Sequence, residues 1–261
     1  MTPILAFDIE TVPDAAGLRR VHSLPSDLSD ADVVESVIQK RRAHGGSDFL
    51  PLPYQKVVAI ACALRDDNGF RIGSVGTVED LEPELIRRFF DLIDKHTPQL
   101  VSWNGGGFDL PVLHYRALRH RVAAPRYWEV GDEDTAFRYN NYLGRFHWRH
   151  VDVMDVLAGY QNRARASLSD TAVLLGYPGK LGFDGSQVWD AYLRGELTRI
   201  RRYCETDVVN TWLVYLRFQH MRVRLTDAGL DDELARTRAW LGEAKLPHFD
   251  EFLAAWAQAG T

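Results

Sequence analysis

The sequence predicts an α/β fold, a sheet flanked by helices, and two observations carry that reading. Apolar runs of strand length, ILAFDIE, KVVAIACAL, FRIGSVG and QLVSW, cluster within residues 4–103, and long stretches with helical spacing follow them. The 261 residues, 46% hydrophobic and 26% charged, suffice for one sizeable core plus an appendage.

The first strand is the apolar run of Ile4, Leu5, Ala6, Phe7 and Ile9, which Pro13 closes. Alternation puts Asp8 and Glu10 on one face with Cα atoms about 6.6–7 Å apart. That lets both carboxylates converge on two metals separated by about 3.5–4 Å. Two exposed acids at a fraying strand end would look the same. A polar insertion follows, roughly residues 14–53, with a helix over about 30–44 that stops at Gly45 and Gly46. It is expected to form a flap beside the site.

KVVAIACAL and FRIGSVG read as the next two strands, DLEPELIRRFFDLIDKH as a helix and QLVSW as the fourth strand. Gly105, Gly106 and Gly107 then allow positive φ or close approach to a phosphate or base, and LPVLHYRALRH has helical spacing. Asp109 stands at that helix N-terminus, where an acid just before Pro111 also serves as a cap. HVDVMDVL adds a short strand or turn before a helix; Asp152 and Asp155 read as caps or supports of the site acids rather than metal contacts. ASLSDTAVLLGY is a further helix.

Residues 196 to about 221 form a long amphipathic helix whose inward stripe reads Ile200, Tyr203, Asp207, Val214, Phe218. A carboxylate on that apolar face costs several kcal/mol unless it is paired or coordinates a metal. Arg201 and Arg202 are nearby but project elsewhere on the wheel, and Tyr203 lies one turn from Asp207 on the same face. From about residue 226 two amphipathic helices form a tail in which Trp240, Phe249, Phe252 and Trp256 read as packing. Its role stays open among packing, a dimer contact and a partner site.

Brought together, Asp8, Glu10, Asp109 and Asp207 repel one another and stay ionised only with cations among them, the arrangement of a two-metal phosphodiesterase. Hard oxygen donors without a Cys or His cluster select Mg2+ or Mn2+ over zinc. Tyr203, ordinarily titrating near pH ~10, is a poor base at neutral pH and is assigned positioning.

Asp8-Ile-Glu-Thr, Asn104-Gly-Gly-Gly-Phe-Asp109 and Tyr203-x-x-x-Asp207 resemble the three motifs of the DEDD exonuclease superfamily. The form of the second motif and HVDVMDVL are most similar to the proofreading exonuclease domain of family B DNA polymerases and its stand-alone bacterial relatives. The likeness spans about residues 3–220. The histidine branch carries His five residues before the last Asp, where this chain has Arg202, so the resemblance is to the tyrosine branch. It implies a ribonuclease H-like mixed sheet and two divalent cations, Mg2+ or Mn2+, held by Asp8, Glu10, Asp109 and Asp207. Tyr203 would orient the attacking water, and Thr11, Asn104, Gly105 and Phe108 would touch substrate. The implied activity is release of nucleoside 5'-monophosphates from 3' ends of single-stranded nucleic acid, with DNA ahead of RNA. Residues 1–225 would form the exonuclease domain and 226–261 a C-terminal helical extension. The alternative is a catalytically idle module binding nucleic acid or protein, against which the complete acid set argues.

Net charge is −5, so local distribution matters. Basic groups occur at Lys40, Arg41 and Arg42, from Arg116 to Arg126, and at Arg145, Arg149, Arg163 and Arg165. The segment 125–150 interleaves arginines with Tyr127, Trp128, Phe137, Tyr139, Tyr142, Phe146 and Trp148. It reads equally as a base-stacking loop and as a satellite core. Cys62 and Cys204 read as buried thiols in a reducing compartment, and with no signal peptide or membrane-spanning stretch the expectation is a cytoplasmic protein away from membranes.

Overall fold

Strand pairing in the computed structural model, which describes residues 2–259, builds one five-stranded mixed sheet of order β3-β2-β1-β4-β5. β1 (Ile4–Pro13) runs antiparallel to β2 (Gln55–Asp66), and β2 antiparallel to β3 (Gly69–Ser74). On its other side β1 runs parallel to β4 (Gln99–Ser102), and β4 parallel to β5 (His150–Asp152). Between and after the strands come α1 (Ala15–Val21), α2 (Asp30–Ala43), α3 (Glu82–His96), α4 (Asp109–His120), α5 (Pro125–Trp128), α6 (Val153–Leu157), α7 (Leu168–Leu174), α8 (Val188–Leu193), α9 (Leu197–Met221), α10 (Asp227–Ala244) and α11 (Pro247–Ala259). The expected strands and long helices are present. This is a ribonuclease H-like α/β arrangement, with α1, α5 and α8 as short helices too brief to leave a periodic signal.

Alternation along β1 and β2 sorts side chains onto two cores. Leu5, Phe7, Ile9, Ile60, Cys62 and Leu64 face a cluster completed by Leu85, Phe89 and Phe90 of α3 and Leu110 and Leu113 of α4. Ala6, Ala59, Ala61 and Ala63 face Val208, Trp212 and Leu213 of α9. That row of small residues lets a helix backbone lie close to the sheet, and it is how α9 is held across β1. Each large side chain buried this way contributes about 1.5–3 kcal/mol. α10 and α11 add Leu230, Leu241, Phe249, Phe252 and Trp256 to the same core as α9. The Trp212 indole donates to Thr237 Oγ1 at 3.1 Å, and Arg65 pairs with Glu233 at 3.0 Å.

The insertion has a small core of its own, from Ala15, Leu18, Val33, Val34, Val37 and Leu50. α2 starts at the Ser29 cap and ends before Gly45, whose φ of 73° suits glycine. What ties it to the α3–α4 pair is ionic, and it draws on the 116–126 basic run, whose Arg116 is neither a solvated face nor a free contact for nucleic acid. Arg116 is 1% exposed. It donates to Glu82 at 2.7 and 2.5 Å and to Asp14 at 2.7 Å. His120 joins at Glu82, and Arg119 joins at Asp14, which also caps α1 through the Gly17 amide. Arg126 pairs with Asp134, and in the third basic group Arg145 and Arg165 share Asp155.

Candidate active site

Asp8 and Glu10 lie on the α9 side of β1, Asp8 partly exposed and Glu10 buried. Just beyond them the β1–β2 register slips: Glu10 pairs with Ala59 but Thr11 with Val57, so Val58 is an extra residue in β2. Bulges of this kind locally increase twist and re-aim side chains. The Val57 amide donates to Glu82 Oε1 at 2.8 Å, so the buried ion network is fastened to the bulge.

β4 pairs with β1 only as far as Ala6. Beyond that point the Ile9 amide donates to Asp109 Oδ1 at 3.1 Å, which draws the first residue of α4 toward the acids of β1. Phe108 occupies the cap position of α4 without a side-chain capping bond, so Asp109 reaches across to β1 instead. The preceding turn works differently from expectation. Positive φ, 67°, falls on Asn104, and none of Gly105, Gly106 and Gly107 adopts it. Those glycines are needed for space. A Cβ on Gly105 would lie 2.3 Å from Ser102 Oγ, and one on Gly107 2.5 Å from Asn104 Oδ1. Asp152 braces the turn, accepting from the Asn104 and Gly106 amides at 2.9 Å each while capping α6.

α9 contributes Tyr203, Cys204 and Asp207. The Tyr203 ring is buried, with Phe183 5.1 Å away edge-on. Cys204 Sγ donates to the Asp8 carbonyl at 3.3 Å and approaches Asp8 Oδ2 at 3.6 Å. Among the described residues neither Arg201 nor Arg202 is seen to pair with Asp207, and Arg201 donates instead to the carbonyls of Val75, Gly76 and Thr77. Asp8, Tyr203 and Asp207 line a cleft of about 210 Å3 together with Trp103, Ser167, Ser169, Lys180 and Asn210.

Lys180 is the residue that sequence reasoning missed. It is one of five lysines in the chain, held in a turn between Gly179 and Gly182, both at positive φ. Its charge lowers both Glu10 and Asp207. The only signal was the glycine-flanked PGKLGF, which has no periodicity. Of the expected substrate contacts, the Thr11 hydroxyl donates to Gln55, Asn104 Oδ1 is buried without a partner, and Phe108 packs 5.8 Å from Phe49 of the flap. Gly105 lies in the turn against Ser102.

The electrostatics follow from crowding. Burial raises Asp8 well above the usual carboxylate range, and Asp109, Glu10 and Asp207 add to it. Glu10 is raised by burial, then by Asp207 and Asp109. Burial takes Asp109 to about 7 and Asp207 to about 6, the latter against a hydrogen bond from Tyr203 and the charge of Lys180. One lysine does not offset four acids, so the cluster carries uncompensated negative charge that bound protons or cations would neutralise. Asp8, Glu10 and Cys204 offer donor atoms within 4.8 Å of one another. Burial and the neighbouring acids push the Cys204 thiol far up, so it stays a protonated donor and leaves oxygen as the ligand set. That set fits hard divalent cations.

Residues 47–256 match the family described as predicted 3'-5' exonucleases related to the exonuclease domain of PolB. The chain belongs to that family. The matched region includes Asp109, Tyr203 and Asp207, and the fold brings Asp8 and Glu10, which precede it, to the same place. The chain is also similar to DNA polymerase 1 of Sulfurisphaera ohwakuensis, 53% identical over 38 residues, which is 15% of this chain and 4% of that polymerase. Among the described residues, no helix is long and apolar enough to cross a membrane.

Proposed function

We propose that the protein is a two-metal-ion 3'-5' exonuclease that removes nucleoside 5'-monophosphates from the 3' end of single-stranded DNA. The observation that carries this reading is that acids from β1, α4 and α9 lie close enough to raise one another, with Asp8 and Asp207 on one cleft and a single lysine as counter-charge. Asp8, Glu10, Asp109 and Asp207 would hold two Mg2+ or Mn2+ ions. When bound, such ions supply Lewis acidity, lowering the pKa of a water and neutralising charge on the leaving 3'-oxygen.

The chain's own groups do the rest. Tyr203 keeps its proton, because burial and then the charges of Asp207 and Glu10 push its hydroxyl far above the ordinary range. It therefore donates and orients rather than abstracting a proton. Lys180 faces the same acids and is placed to hold a phosphate oxygen against them. Trp103 in the cleft offers an indole for the terminal base. The preference for DNA is supported by the short likeness to a DNA polymerase.

The test is incubation of 5'-labelled single-stranded DNA and RNA with Mg2+, Mn2+ or chelator, comparing the wild type with Asp8→Ala. A ladder shortening from the 3' end, abolished by chelator and by the substitution and faster on DNA, is expected. A ladder that persists in chelator would refute the metal mechanism; none under any metal would leave an idle binding module.

A further inference from the structure

On the other side of the glycine turn from the acid cluster lies a separate cavity of about 440 Å3. Its size is that of small-molecule and cofactor sites. Gly106 and Gly107 line it, while Trp103 just before the turn lines the cleft, so one short segment borders both.

Three features define what fits. The cavity's lining sets two arginines against two carboxylates, Asp152 and Asp155, and Asp155 accepts from Arg145 at 2.7 and 2.8 Å and from Arg165 at 3.2 Å. Two guanidinium planes are thereby pinned at the wall without surplus positive charge to demand a phosphate. Second, His114 Nε2 is buried and has no hydrogen-bond partner. Burial pushes that imidazole down to about 4, so at neutral pH it is an uncharged group seeking a neutral partner. Third, the Trp128 ring stands 4.9 Å from the His114 ring yet is 51% exposed, an aromatic face left open beside the orphan nitrogen. Tyr127 and Tyr142, stacked 5.5 Å apart and buried, form the rigid back wall. The aromatic segment 125–150 is thus a satellite core on one side and an open platform on the other.

We infer that this cavity takes one nucleobase, stacked on Trp128 with its polar edge toward His114. A flat, uncharged, hydrogen-bonding ring is the ligand that satisfies an open indole, an orphan imidazole nitrogen and pinned guanidinium planes together. The base comes either from the strand threaded past the glycine turn or from a free nucleotide. Only the first source rests on the exonuclease reading.

The experiment uses full-length Asp8→Ala protein, so that strand is not cut, and scans 2-aminopurine through each position of a single-stranded DNA. One internal position is expected to be quenched on binding. Trp128→Leu should restore its fluorescence and weaken binding roughly 5- to 100-fold, while Trp128→Phe keeps both. A second arm titrates 2-aminopurine riboside 5'-monophosphate against the same proteins. Quenching there alone, lost in Trp128→Leu, assigns the cavity to a free nucleotide. No Trp128-dependent quenching in either arm overturns the inference. Wild-type activity on labelled strands is read separately, so failure of the nuclease reading is not confused with failure of the cavity.

Discussion

Tyr203 is the residue whose chemistry is most constrained by its surroundings. Held against Phe183 and beside Asp207, it has its hydroxyl pushed above the ordinary range in the cation-free fold, so its contribution at neutral pH is one oriented hydroxyl. Tyr203→Phe should therefore lower kcat about 10- to 1000-fold while KM and Mn2+ affinity hold, the signature of a lost orienting contact. Steady-state kinetics with Mn2+ titration separates this from a structural role, which would move all three. Gly105 is as demanding for a different reason. Gly105→Ala places a methyl 2.3 Å from Ser102 Oγ and 2.5 Å from Ser102 Cβ, at the buried start of the turn that delivers Asp109. It is expected to cost about 1–3 kcal/mol of unfolding free energy by urea titration and to depress turnover as well.

Among the elements, the join between the insertion and the α3–α4 pair rests on charge. Arg116 on α4, Glu82 at the start of α3 and Asp14 at the cap of α1 bind one another out of water. Burial alone would raise the Asp14 carboxyl, but the Arg116 hydrogen bond, the Gly17 amide and the nearby guanidinium charges hold it below its usual value. Removing one partner strands the others, so Arg116→Met should cost about 3–5 kcal/mol, and limited proteolysis should begin within residues 14–53. None of this was legible in the sequence. Residues 14, 82 and 116 have no local relationship, and an arginine in a basic run looks like surface because arginine is seldom fully buried. The acids of β1 and the Tyr203–Asp207 pair were legible because strand and helix periods place them by counting. Asp109 was legible as a helix start, but not the reason it turns toward β1, which is an amide that β4 leaves unpaired. Lys180 escaped because a turn residue obeys no period.

For the molecule as a whole, the acid cluster makes stability depend on pH and cations together. Asp109 and Asp207 titrate in the cation-free fold at about 7 and about 6, above their ordinary values. A carboxyl raised by folding contributes stability that is complete below its unfolded value near ~4 and is lost as pH rises through the folded value. The chelated protein should accordingly melt at a lower temperature at pH 8 than at pH 5.5. Mg2+ should raise the melting point by more at pH 8 than at pH 5.5, because there it competes with fewer protons. Differential scanning calorimetry at the two pH values, with and without Mg2+, checks this; an equal Mg2+ increment at both would contradict it. Val58 has a different reach. Deleting that one residue would join Val57 directly to Ala59 and make β2 regular with the same partners across β1, Thr11 still opposite Val57, while removing the local twist that the bulge imposes beside Asp8 and Glu10. Chain length at this point thus bears on the aim of two acids, although valine among valines and alanines looks freely dispensable. An alignment gap here in a descendant gene would mark a lineage that had surrendered the geometry of Asp8 and Glu10 while still spelling both.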